Sequence, residues 1–318
     1  MYTHCRGVLN DFLQCFFVLK NLYDIIKKKM KGVDYSMNFK KYSDINLFWN
    51  DNQKLLEEQE WYNCLMIGNC IDGLKNGMDN WFLATIENNQ TTELIMLYRK
   101  PWKLLMYSPT NNYSDEILKF AAEEIYKYDK ELLGVNAQKD VASRFTEYYC
   151  QLSNMKHKIH NRLRILLLEN IADGRLLNDI TYRKATLNDK TTLKKYIKDF
   201  IIKAVRQECD DKKAEEKFNS YLEKGYYVLE KDGKSVCQAT TSIIMKYGKC
   251  VSAVYTPPEE RGKGYAYNLI YRISKELLDS GDKYCVLYTD DSNPISNHVY
   301  EKIGYKRKSD WEEIDFIK

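Results

Sequence analysis

A chain of 318 residues has room for two domains of ordinary size, each with its own core. Its 44% hydrophobic and 30% charged residues suit a globular protein, and a net charge of +4, from 49 basic against 45 acidic side chains, excludes a polybasic nucleic-acid or membrane binder. Nine cysteines, without any Cys-x-x-Cys pair and mostly inside apolar runs, point to reduced, buried thiols in a cytoplasmic protein, not to a metal site or a disulfide framework.

Residues 1–36 read as an N-terminal extension. A helical apolar pattern over 12–26 is interrupted by Lys20 and Asp24, and its longest apolar run, 15–19, is far too short to cross a bilayer. No small-residue cleavage site follows it, which argues against a signal peptide, and Met37 is an alternative start.

A first domain is expected over 37–176. Residues 45–64 have a helical pattern with Leu47, Phe48, Leu55, Leu56 and Trp61 as candidate core, followed by strand-like runs at 81–86, 92–98 and 103–107. A hairpin turn at 87–90 joins the first two runs. Ser114 is placed to cap a helix whose Ile117, Leu118, Ala121, Ala122 and Ile125 share one face. A short strand at 132–135, a helix carrying Val141, Phe145, Tyr148 and Leu152, and a strand at 164–169 complete this half.

Residues 174–178 form the junction to a second domain, 177–318. It begins with a strand at 180–185 and a helix with Leu193, Tyr196, Ile197, Phe200, Ile201 and Val205 on its apolar face. The charged stretch 208–217 is read as a loop and a second helix. A hairpin over 226–245 with an Asp232-Gly233 turn leads to a strand from Val251. That strand stops at Pro257-Pro258, since neither can donate a ladder hydrogen bond. Arg261-Gly262-Lys263-Gly264 then precedes an amphipathic helix starting at Tyr265. Glycines that let backbone approach closely, free N–H groups at a helix start and flanking positive charge make an anion site suited to phosphate. The dinucleotide fingerprint fails here because Tyr267 stands where the third glycine belongs. The P-loop fails because Gly264 follows Lys263.

After a buried strand at 284–290, Asn293-Pro294 marks a helix start and Gly304 a helix stop. At 100° per residue Ile295, Val299 and Ile303 form one stripe, expected to face the sheet. Asn293, Asn297 and Tyr300 cluster elsewhere, toward a cleft.

Together these two segments resemble the GCN5-related N-acetyltransferase (GNAT) superfamily. Arg261, Gly264 and Ala266 match the fixed positions of its Arg/Gln-x-x-Gly-x-Gly/Ala loop, and Asn293, Ser296, Tyr300, Gly304 and Tyr305 match its closing Asn-x-x-Ala/Ser-x-x-x-Tyr-x-x-x-Gly-Phe/Tyr motif. The wording of both motifs is similar to a bacterial subgroup of predicted acetyltransferases with a long N-terminal extension. The resemblance implies an α+β, tandem acyl-CoA N-acyltransferase fold, a mixed and mostly antiparallel sheet flanked by helices, with the C-terminal copy intact. The first half matches by element order alone. Its corresponding loop, 108–114, contains no glycine, so a degenerate copy that does not hold CoA is expected.

The same resemblance implies acetyl-CoA as co-substrate, with no metal. Val254, Tyr255 and Thr256 would pair with the pantetheine arm, and Arg261, Gly262, Lys263, Gly264, Tyr265 and Ala266 would cradle the pyrophosphate. Tyr300 would be the general acid. Asn293 is foremost an N-cap, with a CoA contact as a second role, and His298 receives none. Glu208, Asp210 and Glu259 are positioned to be considered as a base, but none is assigned. The expected function is transfer of an acetyl group to a primary amine of a small-molecule or amino-acid-like acceptor. A non-catalytic CoA-binding sensor or scaffold, or a transferase for peptide or aminoacyl acceptors, are the alternatives. No nucleic-acid or membrane partner is expected.

Overall fold

In both halves, apolar β-branched and aromatic runs alternate with helical patterns in one order. The computed structural model, which describes residues 37–318 and only the backbone at 242–244, turns that order into two copies of one element series. The expected extension, 1–36, lies outside the described residues. The first copy comprises β1 (Met37–Tyr42), α1 (Ile45–Glu58), α2 (Glu60–Asn76), β2 (Trp81–Asn88), β3 (Thr91–Arg99), β4 (Leu104–Tyr107), α3 (Asp115–Tyr128), β5 (Gly134–Gln138), α4 (Lys139–Ser153) and β6 (Lys156–Leu168). The second repeats the series: β7 (Thr181–Lys184), α5 (Lys190–Phe200), α6 (Asp211–Lys224), β8 (Tyr226–Lys231), β9 (Lys234–Ile244), β10 (Gly248–Tyr255), α7 (Tyr265–Asp279), β11 (Tyr284–Asp290), α8 (Pro294–Ile303) and β12 (Lys306–Ile317).

Local chemistry sets the boundaries. Ser114 caps α3 by accepting from the Ile117 amide at 3.4 Å, and Ile117, Leu118, Ala121, Ala122 and Ile125 are its buried face, as expected. Asp210 caps α6, accepting from the Lys213 amide at 2.7 Å. Asn89 and Gln90 both have positive φ, the geometry of a two-residue I′ hairpin turn.

Several sequence expectations are corrected. The single helix expected over 45–64 is two helices broken at Gln59, because the Asn63 side-chain amide donates to the Leu56 carbonyl and so satisfies the end of α1. Leu47 is 56% exposed, while Phe48 and Leu56 are fully buried. In α4 the buried aromatic is Tyr149, not Tyr148. Its hydroxyl donates to the Asp129 carbonyl at 2.5 Å and accepts from the Leu132 amide at 3.0 Å, which draws the ring inward and leaves Leu152 outside. The strand expected at 132–135 lies at 134–138, and the one expected at 164–169 is thirteen residues long.

All twelve strands join one sheet in the order β1-β2-β3-β4-β5-β12-β6-β11-β10-β9-β8-β7. The last strands of the two copies are exchanged. β6 pairs with β11 of the second copy, from Leu168↔Cys285 to Leu163↔Asp290, and β12 pairs with β5 of the first, from Gln138↔Trp311 to Gly134↔Asp315. β6 and β12 pair with each other along nearly their whole length. Residues 39–86 and 92–318 accordingly form one body.

Buried side chains fill that body in clusters. One lies under α1 and α2 and draws in Cys250, Val286 and Trp311 from the second copy. Another lies under α7 and α8, and a third under α5 and α6. Glu60, 2% exposed at the start of α2, ties the copies together: it accepts from the amides of Lys246 (2.8 Å) and Tyr247 (2.7 Å) and from the Tyr284 hydroxyl. Among the described residues no helix is long and apolar enough to cross a membrane.

Candidate active site

The site begins where two strands part. β10 and β11 run parallel and pair at Gly248↔Tyr284, Lys249↔Cys285 and Cys250↔Val286, and no further. Beyond Cys250, β11 continues along β6, so the strands splay and the β10 backbone loses its partner on that side. On the other side, β10 pairs β9 at Val251↔Thr241, Ser252↔Thr240 and Tyr255↔Gln238, with a register shift in between. Ala253, with φ of +51°, forms that bulge, and its carbonyl accepts from the Gln238 side-chain amide at 3.5 Å. Neither Ala253 nor Val254 has a ladder partner on either neighbour. A bulge with a free edge re-aims backbone N–H and C=O groups at whatever enters the splay.

At the far end of β10, Pro257 and Pro258 end the strand in a single 3₁₀ turn over Pro258–Glu260. Gly262 and Gly264 follow with φ of +77° and +83°. A Cβ at Gly262 would meet nothing within 4 Å, so the loop faces open space. Gly264 caps α7 without any side-chain hydrogen bond to the helix amides. The first N–H groups of a fifteen-residue helix are therefore open to an anion. The flanking charges are tied up nearby: the Arg261 guanidinium donates to the Thr256 carbonyl at 3.0 Å, and Lys263 pairs with Glu260 at 2.8 Å. Backbone, more than side-chain charge, makes this cradle. The Tyr265 side chain is buried in the α7 core and Ala266 is half-buried, so both can contribute only main chain at the helix start.

The α8 stripe faces the core at Val299 and Ile303, as expected, but not at Ile295. Ile295 is 79% exposed, and Asn297, Tyr300 and Ile303 are the buried side chains. Asn297 donates to the carbonyls of Asp290 (3.2 Å) and Asp291 (3.3 Å), holding the turn after β11, and Ile295 at the helix start is left outside while Val299 and Ile303 pack on the core. Asn293 is the N-cap, accepting from the Ser296 amide at 3.1 Å. Its side-chain oxygen is used there.

Tyr300, 7% exposed, packs edge-on against Tyr305 and shares a cluster with Val251, Val254 and Leu287 of the splayed strands. Its hydroxyl has no hydrogen-bond partner among the described residues. Burial pushes its phenol up, with the Cys237 thiol adding to the effect. Thr256 donates to the sulfur of Cys237 at 3.2 Å, so Tyr300, Cys237 and Thr256 meet at the end of β10.

On the opposite face of the sheet, Tyr255, expected to contribute only backbone, also uses its side chain. Its ring lies 5.3 Å from that of Tyr196 and its hydroxyl donates to Asp199 at 2.6 Å. Sequence reading does not find this pair, because nothing in the α5 pattern separates Asp199 from any other solvent-side carboxylate. The residues considered as a base fall elsewhere. Asp210 caps α6, and Glu208 and Glu259 are exposed.

The equivalent loop of the first copy is built differently. The Tyr113 hydroxyl accepts from the Ser108 amide (2.9 Å), the Ser108 hydroxyl from the Asn112 amide (2.8 Å), and the Asn112 side chain from the Ser114 amide (3.3 Å). The Glu93 carboxylate, 9% exposed, accepts from Thr110 at 2.5 Å within this loop. Amides already satisfied, beside a negative charge, are a poor receptor for phosphate.

The chain thus carries a duplicated β-α-α-β-β-β-α-β-α-β fold with a splayed strand pair and a glycine loop at a helix start. The fold is that of the GNAT superfamily, in tandem form. Residues 231–314, which contain the splay, the glycine loop and α8, match the family model described as FR47-like protein. Similar solved structures include a GNAT-family acetyltransferase from Colwellia psychrerythraea, with TM-score 0.56, 12% identity, and 88% of this chain and 98% of that one covered. A GCN5-related N-acetyltransferase from Sphaerobacter thermophilus has TM-score 0.57 and 13% identity, covering 88% and 96%. A tandem GNAT protein from the clavulanic acid biosynthesis pathway has TM-score 0.53 and 8% identity, covering 88% and 98%. At these identities the likeness is one of fold. No curated protein matches the chain by sequence.

Proposed function

We propose that the chain is an acetyl-CoA-dependent N-acyltransferase whose second copy carries the chemistry, delivering an acetyl group to a primary amine of a small acceptor. The observation that carries this reading is the combination of a free β10 edge at 251–255 with uncapped α7 amides behind Gly264. An extended pantetheine arm fits the first and a pyrophosphate the second. The bound thioester supplies an activated acyl carbon. Every other contribution comes from the chain.

The main chain of Val254, Tyr255 and Thr256 holds the arm in line. The bulge at Ala253 presents a backbone donor for the carbonyl oxygen, an interaction that contributes about 2.7–4 kcal/mol in comparable oxyanion sites. As the neutral amine bonds through its nitrogen to the acyl carbon and the C–S bond breaks, Tyr300 gives its hydroxyl proton to the departing sulfur, and the proton shed by the new amide nitrogen returns through solvent to the phenolate. A high phenol pKa keeps that proton in place until then. The first copy, with its loop amides satisfied, holds no CoA and serves as a wall and brace.

The test is thiol release from acetyl-CoA against a panel of amines, amino acids and polyamines. Release that depends on one acceptor class supports the reading and names the substrate type. If acetyl-CoA does not bind at all, the reading of residues 261–266 as its cradle is wrong.

A further inference from the structure

One carboxylate beside the splay, that of Asp199, takes no part in holding CoA or in protonating the leaving sulfur. A role for it in acceptor recognition rests on the acyltransfer reading. The splay is closed on one face by α7 and α8, whose Leu269, Ile273, Tyr300 and Ile303 pack with Val251 and Leu287. An amine must therefore reach it from the other face. There Tyr255 departs from its neighbour Val254, which joins the α7 cluster: the Tyr255 ring turns to α5 and fixes Asp199 Oδ2 at 2.6 Å.

From Asp199 the chain runs through a π-helical turn, Ile201–Val205, toward the other lip of the splay. The Val205 carbonyl lies 3.3 Å from His160 Nε2 on β6. The Arg206 guanidinium donates to the His160 carbonyl at 2.9 Å and to Asp290 Oδ2 at 3.2 Å, at the end of β11. Residues 199–206 thus bridge the end of β10 to the end of β11 over the wide end of the splay.

The charges along this bridge are mostly matched. Arg206 faces Asp290, and His160 Nδ1 faces Asp315 Oδ2 at 3.1 Å. Asp290 also accepts from the Ser292 amide and hydroxyl, and Asp315 pairs with Lys103 at 2.9 Å. Lys203 approaches Asp199 at 3.2 Å, again on Oδ2. Asp199 Oδ1 accepts nothing from any described residue. The side chain is 27% exposed, and the Tyr255 hydrogen bond, with Lys203 in support, holds its carboxyl below the usual range. An ionised carboxylate with one oxygen clamped and the other open, shielded on most sides, is a receptor for an ammonium group.

We propose that Asp199 is the specificity-determining residue of the acceptor side, its free Oδ1 receiving an ammonium group of the acceptor while a second, neutral amine attacks the thioester, so that the acceptor is a small organic cation such as a diamine. A substrate whose amine sits beside its own carboxylate would meet a repulsive oxygen.

The full chain is titrated calorimetrically with 1,4-diaminobutane, and with 4-aminobutanoate as the net-neutral comparison. Wild type, Asp199→Asn, Asp199→Glu and Tyr255→Phe are measured side by side. Diaminobutane is expected to bind wild type about tenfold more tightly than 4-aminobutanoate, to lose about tenfold in Asp199→Asn and to recover in Asp199→Glu, the size expected for one charge-assisted hydrogen bond. Tyr255→Phe should fall between. Equal diamine affinity in wild type and Asp199→Asn, a preference for 4-aminobutanoate, or no diamine binding by wild type overturns the proposal. An acetyl-CoA titration on the same samples separates the two claims. Failure of wild type to bind acetyl-CoA removes the acyltransfer reading, whereas normal acetyl-CoA binding with charge-indifferent amine binding removes only the role of Asp199.

Discussion

Tyr300 combines a buried ring with a hydroxyl that has no hydrogen-bond partner among the described residues and is left for a ligand. Replacement by Phe keeps the ring and its contact with Tyr305. Tyr300→Phe is therefore expected to leave acetyl-CoA affinity and melting temperature nearly unchanged while lowering kcat roughly 10–100-fold. That is at or below the usual range for a general acid, since a thiol of pKa near 8.5 leaves fairly well unaided. Steady-state thiol release checks it, and an unchanged kcat would remove the acid assignment. Gly264 is the complementary case, where backbone conformation decides. At φ of +83° any L side chain is strained by about 1–2 kcal/mol, and a branched one also covers the helix amides. Gly264→Val should weaken acetyl-CoA binding by at least about tenfold and lower the melting temperature by only a few degrees, readable by calorimetry and thermal unfolding.

Two polar clamps tie elements together. Glu60, at the start of α2, fixes the β9–β10 turn through two amides and the Tyr284 phenol. Glu60→Ala removes a charged acceptor from three donors at a part-buried site, and a loss of about 2 kcal/mol in denaturant unfolding is expected, with Glu60→Gln recovering part of it. The second clamp joins β7 to the turn before α5. Arg183 donates to both oxygens of Asp189, at 2.8 and 2.9 Å, and the Thr186 amide adds a third bond. The Arg183 bonds lead in holding the Asp189 carboxyl down, from its ordinary 3.8 to about 2. A folded-state pKa lowered in this way contributes stability that is present above the ordinary value and is lost as pH falls through 3.8 toward about 2. Asp189→Asn should therefore be less stable than wild type near neutrality, and the difference should shrink across that window when urea midpoints are followed against pH.

For the whole molecule, the consequential feature is the exchange of final strands. β11 has β6 of the first copy as its neighbour, and β12 lies between β5 and β6. Cut from the first copy, residues 177–318 would leave the β11 edge from Cys285 to Asp290 unpaired, with apolar Val286 exposed beside it. We expect this piece expressed alone to aggregate or to dimerise through that edge, and co-expression with residues 37–176 to rescue a soluble complex, as sedimentation would show. A folded monomer of 177–318 that binds acetyl-CoA would refute the structural need for the exchange.

Much of this protein is legible in sequence because the deciding interactions are local. The helix face from Ile117 to Ile125, the cap at Ser114, the Asp-Gly hairpin and the glycine loop before Tyr265 each depend on residues a few positions apart, whose periodicity or φ requirement is written in the chain. The order of elements carries the duplicated GNAT fold for the same reason. Other features depend on partners far away along the chain, and these emerge only on folding. Ile295 is left outside at the start of α8, while Val299 and Ile303 of the same stripe pack on the core and Asn297 turns in to carbonyls at the end of β11. Tyr149 replaces Tyr148 in the core because its hydroxyl finds the Asp129 carbonyl and the Leu132 amide. The strand exchange, the Glu60 brace and the meeting of Tyr255 with Asp199 likewise join segments 56 to 186 residues apart or more, for which a hydrophobic pattern has no signal. Local patterns thus specify the elements and the phosphate-type loop. Long-range packing selects which side chains face the splay.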